Sequence, residues 1–169
     1  IGLEGLSRIR INAYVANEKR CLTLRILPDN LPKWQDLGLP QPFIDLTKKP
    51  RGMVLCTGPT GSGKSTTLAA FINCILETQR KHILTIEDPI EFEFFNTESS
   101  IIHQREIKRD TKSFASALKA ALREDPDIIY IGEMRDLETI QLAITAAETG
   151  HLVLGTLHTS SASKTVERI

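Results

Sequence analysis

The chain has 169 residues, which is enough for one well-filled core and part of a second domain. Its hydrophobic content of 41% and its charged content of 25% are ordinary for a soluble globular protein. Lysine and arginine together number 21, as do aspartate and glutamate, so the formal net charge is zero. This balance provides no long-range attraction toward nucleic acid or anionic lipid, and we expect no nucleic-acid partner.

Three features of the sequence favour a cytoplasmic location. No stretch approaches the ~20 apolar residues of a membrane helix. The opening residues IGLEGLSRIR lack the apolar centre of a signal peptide. The three cysteines, Cys21, Cys56 and Cys74, are scattered and form no C-x-x-C pair. They predict a reducing compartment, with neither a disulfide framework nor a zinc site.

The beginning of the chain predicts a β-hairpin over residues 6–27. Apolar and polar residues alternate there on both sides of the polar turn ANEKR. Seven apolar residues share one face of this hairpin, namely Ile9, Ile11, Ala13, Val15, Leu22, Leu24 and Ile26. Because an isolated hairpin is marginal in water, we expect this one to belong to a larger sheet.

The next segment, PDNLPKWQDLGLPQPFIDLTKKP, predicts a linker with short helices. It contains five prolines and little regular periodicity. Trp34 and Phe43 are the large side chains in it, and we expect both to anchor the linker to its neighbours.

From Arg51 onward, predicted strands and helices alternate. Strands are predicted at 52–57, 82–87, 127–133 and 151–159, and helices at 64–77, 113–124, 136–150 and from about Ser160. Ser113 is the expected cap of the second helix, and the third is expected to begin at Asp136 and end at Gly150. The apolar runs are typical of a parallel sheet covered on both faces. Residues 91–112 break the alternation and are predicted to form an antiparallel excursion.

The stretch LCTGPTGSGKSTTLAAF, residues 55–71, contains the pattern G-x-x-x-x-G-K-[ST] between the first core strand and its helix. Its glycines let backbone N–H groups converge on an anion, and the following helix adds the positive end of its dipole. Lys64 would reach the outer phosphates, and Ser65 would supply a hydroxyl to Mg²⁺. The pattern therefore predicts a nucleotide site.

Acidic residues follow two of the predicted strands. Glu87, Asp88 and Glu91 belong to EDPIE after the second core strand, and Glu133 ends the third. Because ligands of open parallel sheets bind at the carboxyl ends of the strands, we expect these groups near the phosphate loop. Gly132 stands where an aspartate is common beside such a glutamate, so the EDPIE group is expected to share its role. The alternative is a set of solvated strand-end charges.

His151 and His158 flank the fourth predicted strand. They would lie about 20 Å apart on an extended strand, so they cannot share a metal ion there. We interpret His158 as a sensor of the γ-phosphate, although two polar strand caps explain the same residues. Tyr130 in the third strand is bulkier than the expected aliphatic residue, and its hydroxyl needs a partner.

Four motifs resemble those of the bacterial secretion and type IV pilus ATPases. GPTGSGKSTT, TIEDPIEF, ALREDPDIIYIGEMRD and AAETGHLVLGTLHT are similar to the Walker A, Asp-box, Walker B and His-box motifs of that family. HQREIKRDT, GEMRDLETI and AAETGHLVLGTLHT are most similar to its pilus retraction branch. RIRINAY and LTLRILP resemble the end of the family's PAS-like N-terminal domain.

The resemblance implies an α/β fold. A RecA-like P-loop NTPase core with a mainly parallel sheet would occupy residues 51–169. The end of a PAS-like α+β N-terminal domain would occupy residues 1–28, and a linker would occupy residues 29–50. The chain stops at SKTVERI, short of the C-terminal helices of the family, and is expected to be a fragment.

The resemblance also implies roles for individual residues. Glu91 would be the general base, and Glu133 would hold water or Mg²⁺ together with Ser65. Arg10 and Arg25 would reach the nucleotide across a domain cleft or a subunit boundary, where a guanidinium stabilises phosphoryl charge. Their alternative is a pair of solvated hairpin charges. The loop that holds the ATP phosphates and Mg²⁺ would consist of Gly58, Pro59, Thr60, Gly61, Ser62, Gly63, Lys64, Ser65 and Thr66. Glu87 and Asp88 would bind the nucleotide beside this loop. His151 and His158 would be the His-box pair that links nucleotide state to domain position.

The function implied by the resemblance is that of a homohexameric motor ATPase that uses ATP and Mg²⁺ to retract type IV pili in twitching motility. It would act on an inner-membrane platform protein and associate peripherally with the cytoplasmic face through that partner. Three alternatives remain: a pilus-assembly or type II secretion ATPase of the same family, a RecA-like nucleic-acid motor, and an ATP-binding module without hydrolysis.

Overall fold

The computed structural model describes residues 8–159 and 161–169. None of the helices in this described part is long and apolar enough to cross a membrane. In chain order the elements are β1 (Ile9–Ala16), β2 (Lys19–Ile26), α1 (Gln41–Asp45), a 3-10 turn (Leu46–Lys48), β3 (Gly52–Thr57), α2 (Lys64–Thr78), β4 (His82–Glu87), β5 (Ile101–Glu106), α3 (Phe114–Ala121), β6 (Ile128–Ile131), α4 (Leu137–Glu148), β7 (Leu152–Leu157) and α5 (Ala162–Arg168).

The predicted hairpin is confirmed for β1 and β2, which pair antiparallel around a two-residue turn at Asn17 and Glu18. Both turn residues have positive φ, 51° and 62°, which suits the twist of a tight hairpin. The predicted apolar face is formed but exposed, with Ile26 at 71% and Leu24 at 60%. Within the described residues no other strand pairs with this hairpin. Residues 6 and 7 of the predicted hairpin lie outside the described part of the chain.

The linker packs against the core. Leu31, Trp34 and Leu39 contact the hydrophobic cluster beneath α2, so the predicted anchoring by Trp34 is confirmed. The same prediction is wrong for Phe43, whose side chain is 50% exposed, whereas Ile44 next to it is 3% exposed. Neighbouring residues on the short helix α1 point in different directions, so only one of the two can face the core.

The main sheet has five parallel strands in the order β3-β7-β6-β4-β5. The predicted antiparallel excursion over 91–112 is wrong, because β5 pairs parallel with β4 from His82↔Ile101 to Glu87↔Glu106. A parallel connection normally uses a helix to cross over the sheet. Here irregular backbone makes the crossover, and its buried side chains Ile90, Phe92 and Phe94 take the place of a helix.

Two hydrophobic clusters cover the faces of this sheet. Helix α2 packs on one face through Leu68, Ile72 and Ile75, together with the linker and the β4–β5 crossover. Helices α3 and α4 pack on the other face, where Leu118 and Ala143 are fully buried. The expected α/β arrangement with helices on both faces is confirmed.

The predicted helix starts are accurate, and the predicted ends are less so. The Ser113 side chain accepts from the Ser116 backbone N–H in a capping box, and α3 then ends at Ala121 instead of 124. Asp136 accepts from the Thr139 N–H at 2.8 Å, and α4 ends two residues before Gly150. The last helix begins at Ala162, and the predicted start at Ser160 lies outside the described residues.

Candidate nucleotide-binding site

A cleft of about 780 Å³ lies at the carboxyl ends of β3, β4, β6 and β7. The loop after β3, the segments after β4 and β6, and the end of β7 all contribute to it, and β1 and β2 contribute two arginines. The structure thus brings most of the predicted site residues together, and those that line the cleft are Arg10, Arg25, Thr60, Gly61, Gly63, Lys64, Ser65, Thr66, Glu87, Asp88, Glu91, Glu133 and His158.

The loop between β3 and α2 requires glycine at two positions in particular. Gly58 has a φ of 148°, and a Cβ there would lie 2.7 Å from the Ser62 hydroxyl oxygen. Gly63 has a φ of 88° and is the residue that precedes α2. This left-handed turn places the first turn of α2 directly at the cleft, where its backbone N–H groups lack partners within the helix.

Lys64 is held inside this loop. Its Nζ donates to the carbonyl oxygens of Gly58 at 2.9 Å and Pro59 at 2.8 Å, and lies 3.4 Å from His158 Nδ1. Gly58 and Pro59 therefore act through the position of Lys64, although neither lines the cleft. Ser62 does not line the cleft either, and its hydroxyl occupies the space that a side chain on Gly58 would need.

Two of the predicted carboxylates form ion pairs in the cleft. Glu91 lies 3.6 Å from Arg25 of β2. Glu133 lies 2.6 Å from Arg135 and 3.3 Å from His158. The hydrogen bond from Arg135 is the main reason that the pKa of Glu133 is lowered. Arg135 lines the cleft as well, and sequence reasoning missed it although it stands two residues after Glu133 in GEMRD.

Glu87 differs from the other carboxyl groups because it is buried, with 5% of its surface exposed. It accepts hydrogen bonds from Thr85 Oγ1 at 2.7 Å and Gln104 Nε2 at 3.2 Å. Burial raises the pKa of Glu87 to about 7, and the nearby charge of Glu91 acts in the same direction. A Cβ on Gly132 would lie 3.3 Å from the Glu87 Cα, so a larger residue there would press on Glu87.

Tyr130 is buried at the back of the cleft. Burial is the largest cause of its raised pKa, followed by the charges of Glu87 and Glu91, and a hydrogen bond with Ser65 partly opposes them. Ser65 is therefore the partner that the tyrosine hydroxyl requires. This contact involves the hydroxyl in the first turn of α2 that the sequence pattern assigned to Mg²⁺.

Gln104 of β5 positions the segment around Glu91, and nothing in the sequence motifs singled it out. Its Nε2 donates to the Phe92 carbonyl at 2.9 Å, and its Oε1 accepts from the Phe94 N–H at 2.8 Å. Arg8 acts from the hairpin side, where its Nη2 donates to the Glu91 carbonyl at 2.8 Å. Both contacts join different segments of the folded chain, so the spacing of residues in the sequence does not reveal them.

The structure does not bring His151 into the cleft. It directly precedes β7, at the opposite end of that strand from His158, and its Nδ1 lies 2.9 Å from the Ala146 carbonyl oxygen. The role of His151 therefore stays a prediction, and the structure places this residue away from the other predicted site residues. The reason is the direction of β7, which brings only its carboxyl end to the nucleotide site.

The family description "Type II/IV secretion system protein" matches residues 5–169. The chain belongs to this family. It is 58% identical over 167 residues to a twitching motility protein of Neisseria gonorrhoeae, covering 99% of this chain and 44% of that protein. It is 54% identical over 165 residues to a type IV pilus retraction ATPase, PilT, of Pseudomonas aeruginosa, covering 98% of this chain and 48% of that protein.

A solved structure of the pilus retraction motor PilT with bound ADP superimposes with a TM-score of 0.96 at 53% identity, covering 100% of this chain and 49% of that one. Relatives at lower identity include ATPases named for type II secretion and for pilus assembly. The chain spans about half the length of these two curated relatives. The RecA-like core expected from the motifs is confirmed by these likenesses.

The pH dependence of stability is expected to report on Glu87. The folded chain holds this group at a pKa of about 7, against an ordinary value of 4.5. Between these values the folded state binds more protons than the unfolded state, so the free energy of unfolding falls as the pH rises. Glu87→Gln removes the titrating group and with it this fall in the free energy of unfolding, which amounts to about 3 kcal/mol between the two pKa values.

Urea unfolding at a series of pH values measures this effect. The fall in stability from about pH 4.5 to about pH 7 is expected to be smaller in Glu87→Gln than in the parent protein. Glu98→Gln, at an exposed position outside the cleft, is the matched control and retains the parent slope. Parallel stability curves for the parent and Glu87→Gln would show that Glu87 does not titrate in this window.

Proposed function

We propose that this chain is the ATP-binding and ATP-hydrolysing core of a motor protein that retracts type IV pili. The observation that supports it most strongly is that the Lys64 loop, Glu91 and Glu133 line one cleft. The relatives named for pilus retraction and twitching motility point to the same activity. Because the chain spans about half of those relatives, the activity of the whole protein is part of the proposal.

The residues of the cleft fit a nucleoside triphosphate with Mg²⁺. The Gly58 turn leaves no room for a side chain, so backbone groups line the loop, and Lys64 supplies a positive charge beside it. Ser65 and Glu133 would hold Mg²⁺, with Glu87 and Asp88 next to them. Mg²⁺ is usually bound by one or two carboxylates together with substrate phosphates.

In this proposal Glu91 is the general base, and two observations support that role. Its side chain is one-third exposed, so the carboxylate can meet a water molecule in the cleft, and Gln104 holds the backbone that follows it. In phosphoryl transfer such a group orients and deprotonates the attacking water. Bound Mg²⁺ would neutralise part of the negative charge on the phosphates. Lys64 and His158 line the same cleft, 3.4 Å apart, and would contact the terminal phosphate.

Arg10 and Arg25 would link hydrolysis to movement. Both belong to the hairpin, yet both line the cleft, so a shift of the hairpin relative to the core changes the positive charge at the site. Opening and closing of such a cleft is a common means of coupling nucleotide state to rigid-body motion. His151, outside the cleft, would serve this coupling and not the chemistry.

In its complete form the protein would be a homohexamer that acts on an inner-membrane platform protein. It would remain at the cytoplasmic face of a bacterial inner membrane and contact that membrane through its partner. The zero net charge of the chain supports the absence of a nucleic-acid partner. An assembly or secretion ATPase is the second candidate, favoured by the relatives named for those activities.

Lys64→Ala is expected to abolish ATP binding. The substitution removes the ammonium group and its two contacts to the loop carbonyls, so the loop loses both its charge and its internal support. Binding of a fluorescent ATP analogue measures the loss. Lys112→Ala, an exposed position outside the cleft, is the control and is expected to bind normally. Undiminished binding by Lys64→Ala would exclude the loop as the phosphate site.

Glu91→Gln is expected to retain ATP binding and to lose turnover by about 100-fold or more, the usual contribution of a general base. Phosphate release and analogue binding, measured on the same full-length preparation, separate the two effects. Glu98→Gln is the control, because Glu98 is an exposed glutamate of the same β4–β5 connection and lies outside the cleft. Normal phosphate release by Glu91→Gln would remove Glu91 from the mechanism.

Deletion of the gene distinguishes retraction from assembly. Cells without a retraction motor are expected to carry excess pili and to lose twitching, because assembly continues unopposed. Electron microscopy of pili and a surface motility assay provide the measurement, with the reintroduced gene as the control. Bald cells would show that the protein drives assembly instead.

ATPase assays on the full-length protein test the two remaining alternatives. No ATP turnover would favour a regulatory module, and strong stimulation of ATP turnover by single-stranded DNA would favour a nucleic-acid motor.

A further inference from the structure

The end of the sheet opposite the cleft contains a pair of histidines that the proposed function does not use. His82 begins β4, and His103 lies in β5, the edge strand of the sheet. Their ring nitrogens, His82 Nε2 and His103 Nδ1, are 3.1 Å apart. The cleft lies at the other end of β4, about five residues or ~17 Å away. Neither histidine lines the cleft, so the pair is not part of the proposed nucleotide site.

The register of the strands places the two rings together. His82 is paired with Ile101, and Leu84 is paired with His103, so the histidines occupy diagonal positions on neighbouring strands. Residues two apart on a strand share a face, which puts both rings on the same side of the sheet. The rings meet edge to face, with centroids 5.2 Å apart. Since His103 is exposed and His82 is half-buried, the pair can be reached from solvent.

The surroundings define the protonation of His82. Its Nδ1 lies 3.3 Å from the Asp125 carbonyl oxygen, which can only accept, so Nδ1 carries the proton. The lone pair of neutral His82 is therefore on Nε2, the atom that faces His103. A backbone carbonyl that holds the distal N–H in this way is the usual support of a metal-binding histidine.

The separation of the two nitrogens matches two adjacent positions around one metal ion. With metal–nitrogen bonds of ~2.0–2.1 Å, such nitrogens lie ~2.9 Å apart at a right angle and ~3.3 Å apart at the tetrahedral angle. The observed 3.1 Å falls between these values. Lys81 precedes His82 in the chain, and its ammonium group is paired with Asp127 at 2.8 Å, so its positive charge is compensated.

We propose that His82 and His103 form a two-histidine site for a divalent transition-metal ion, with solvent in the other positions. On binding, the proton on His103 Nδ1 moves through solvent to Nε2 of the same ring, so the ring stays neutral and both lone pairs face the ion. Imidazole ligands suit Cu²⁺, Ni²⁺ and Zn²⁺, and Cu²⁺ is expected to bind most tightly. The ion bridges β4 to the edge strand β5 and stabilises the folded chain.

Calorimetric titration of the full-length protein with CuCl₂, NiCl₂ and ZnCl₂, in the absence of nucleotide, tests the site. We expect one ion per chain at this position. His82→Gln and His103→Gln are each expected to weaken Cu²⁺ binding by about tenfold or more. His151→Gln removes a histidine that lies at the same end of the sheet but outside the pair, and is expected to leave the affinity unchanged. A Cu²⁺ affinity that is unchanged in His103→Gln, or no Cu²⁺ binding by the parent protein, would overturn the proposal.

A second measurement needs no variant. Electron paramagnetic resonance of the Cu²⁺-loaded parent protein is expected to show hyperfine coupling from two imidazole nitrogens. A spectrum with one nitrogen donor or none would overturn the site even if the variants failed to fold. Circular dichroism of His82→Gln and His103→Gln establishes whether they are folded. His103 is exposed on an edge strand, so its replacement is expected to preserve the fold.

Discussion

The parallel pairing of β7 between β3 and β6 is the constraint on which the rest of the structure depends. This pairing aligns Thr57 with Leu157 and Ile131 with Gly155, so the ends of three strands reach the same edge of the sheet. Gly155 allows Met134 to pack closely against β7, because a Cβ at position 155 would lie 2.6 Å from the Met134 side chain. The phosphate loop, the Walker B region and the end of β7 can then form one cleft.

The cleft holds acidic and basic side chains in nearly equal number. The carboxyl groups among them differ in solvent exposure, ion pairing and pKa. Glu91 and Glu133 are partly exposed and paired with arginines, so they remain available as charged groups. Glu87 is buried beneath them, and burial shifts its pKa toward neutrality. Similar carboxyl groups thus acquire different properties from solvent access and neighbouring charge. The hairpin contributes Arg25, which pairs with Glu91, so the charge distribution in the cleft also depends on a part of the chain outside the main sheet.

Much of the fold was predictable because its signals are local. The strands β3 and β4 and the starts of α2, α3 and α4 follow from apolar runs, glycine positions and capping side chains. The parallel β5 was not predictable, since its segment is polar and its crossover has no helix. Buried aromatic residues of that crossover replace the helix, and this substitution appears only once the chain is packed. The same limit explains why Phe43 was wrongly expected to be an anchor.

By itself, the sequence determined the phosphate loop and the positions of the acidic groups along the chain. Glycine conformations, the start of a helix and a lysine at a set spacing are properties of neighbouring residues. Only the tertiary structure decided that Glu87 is buried, that Gln104 and Arg8 hold the Glu91 segment, and that His151 lies away from the cleft. These features depend on which strands are neighbours and how they are aligned, and such contacts join residues far apart in the chain.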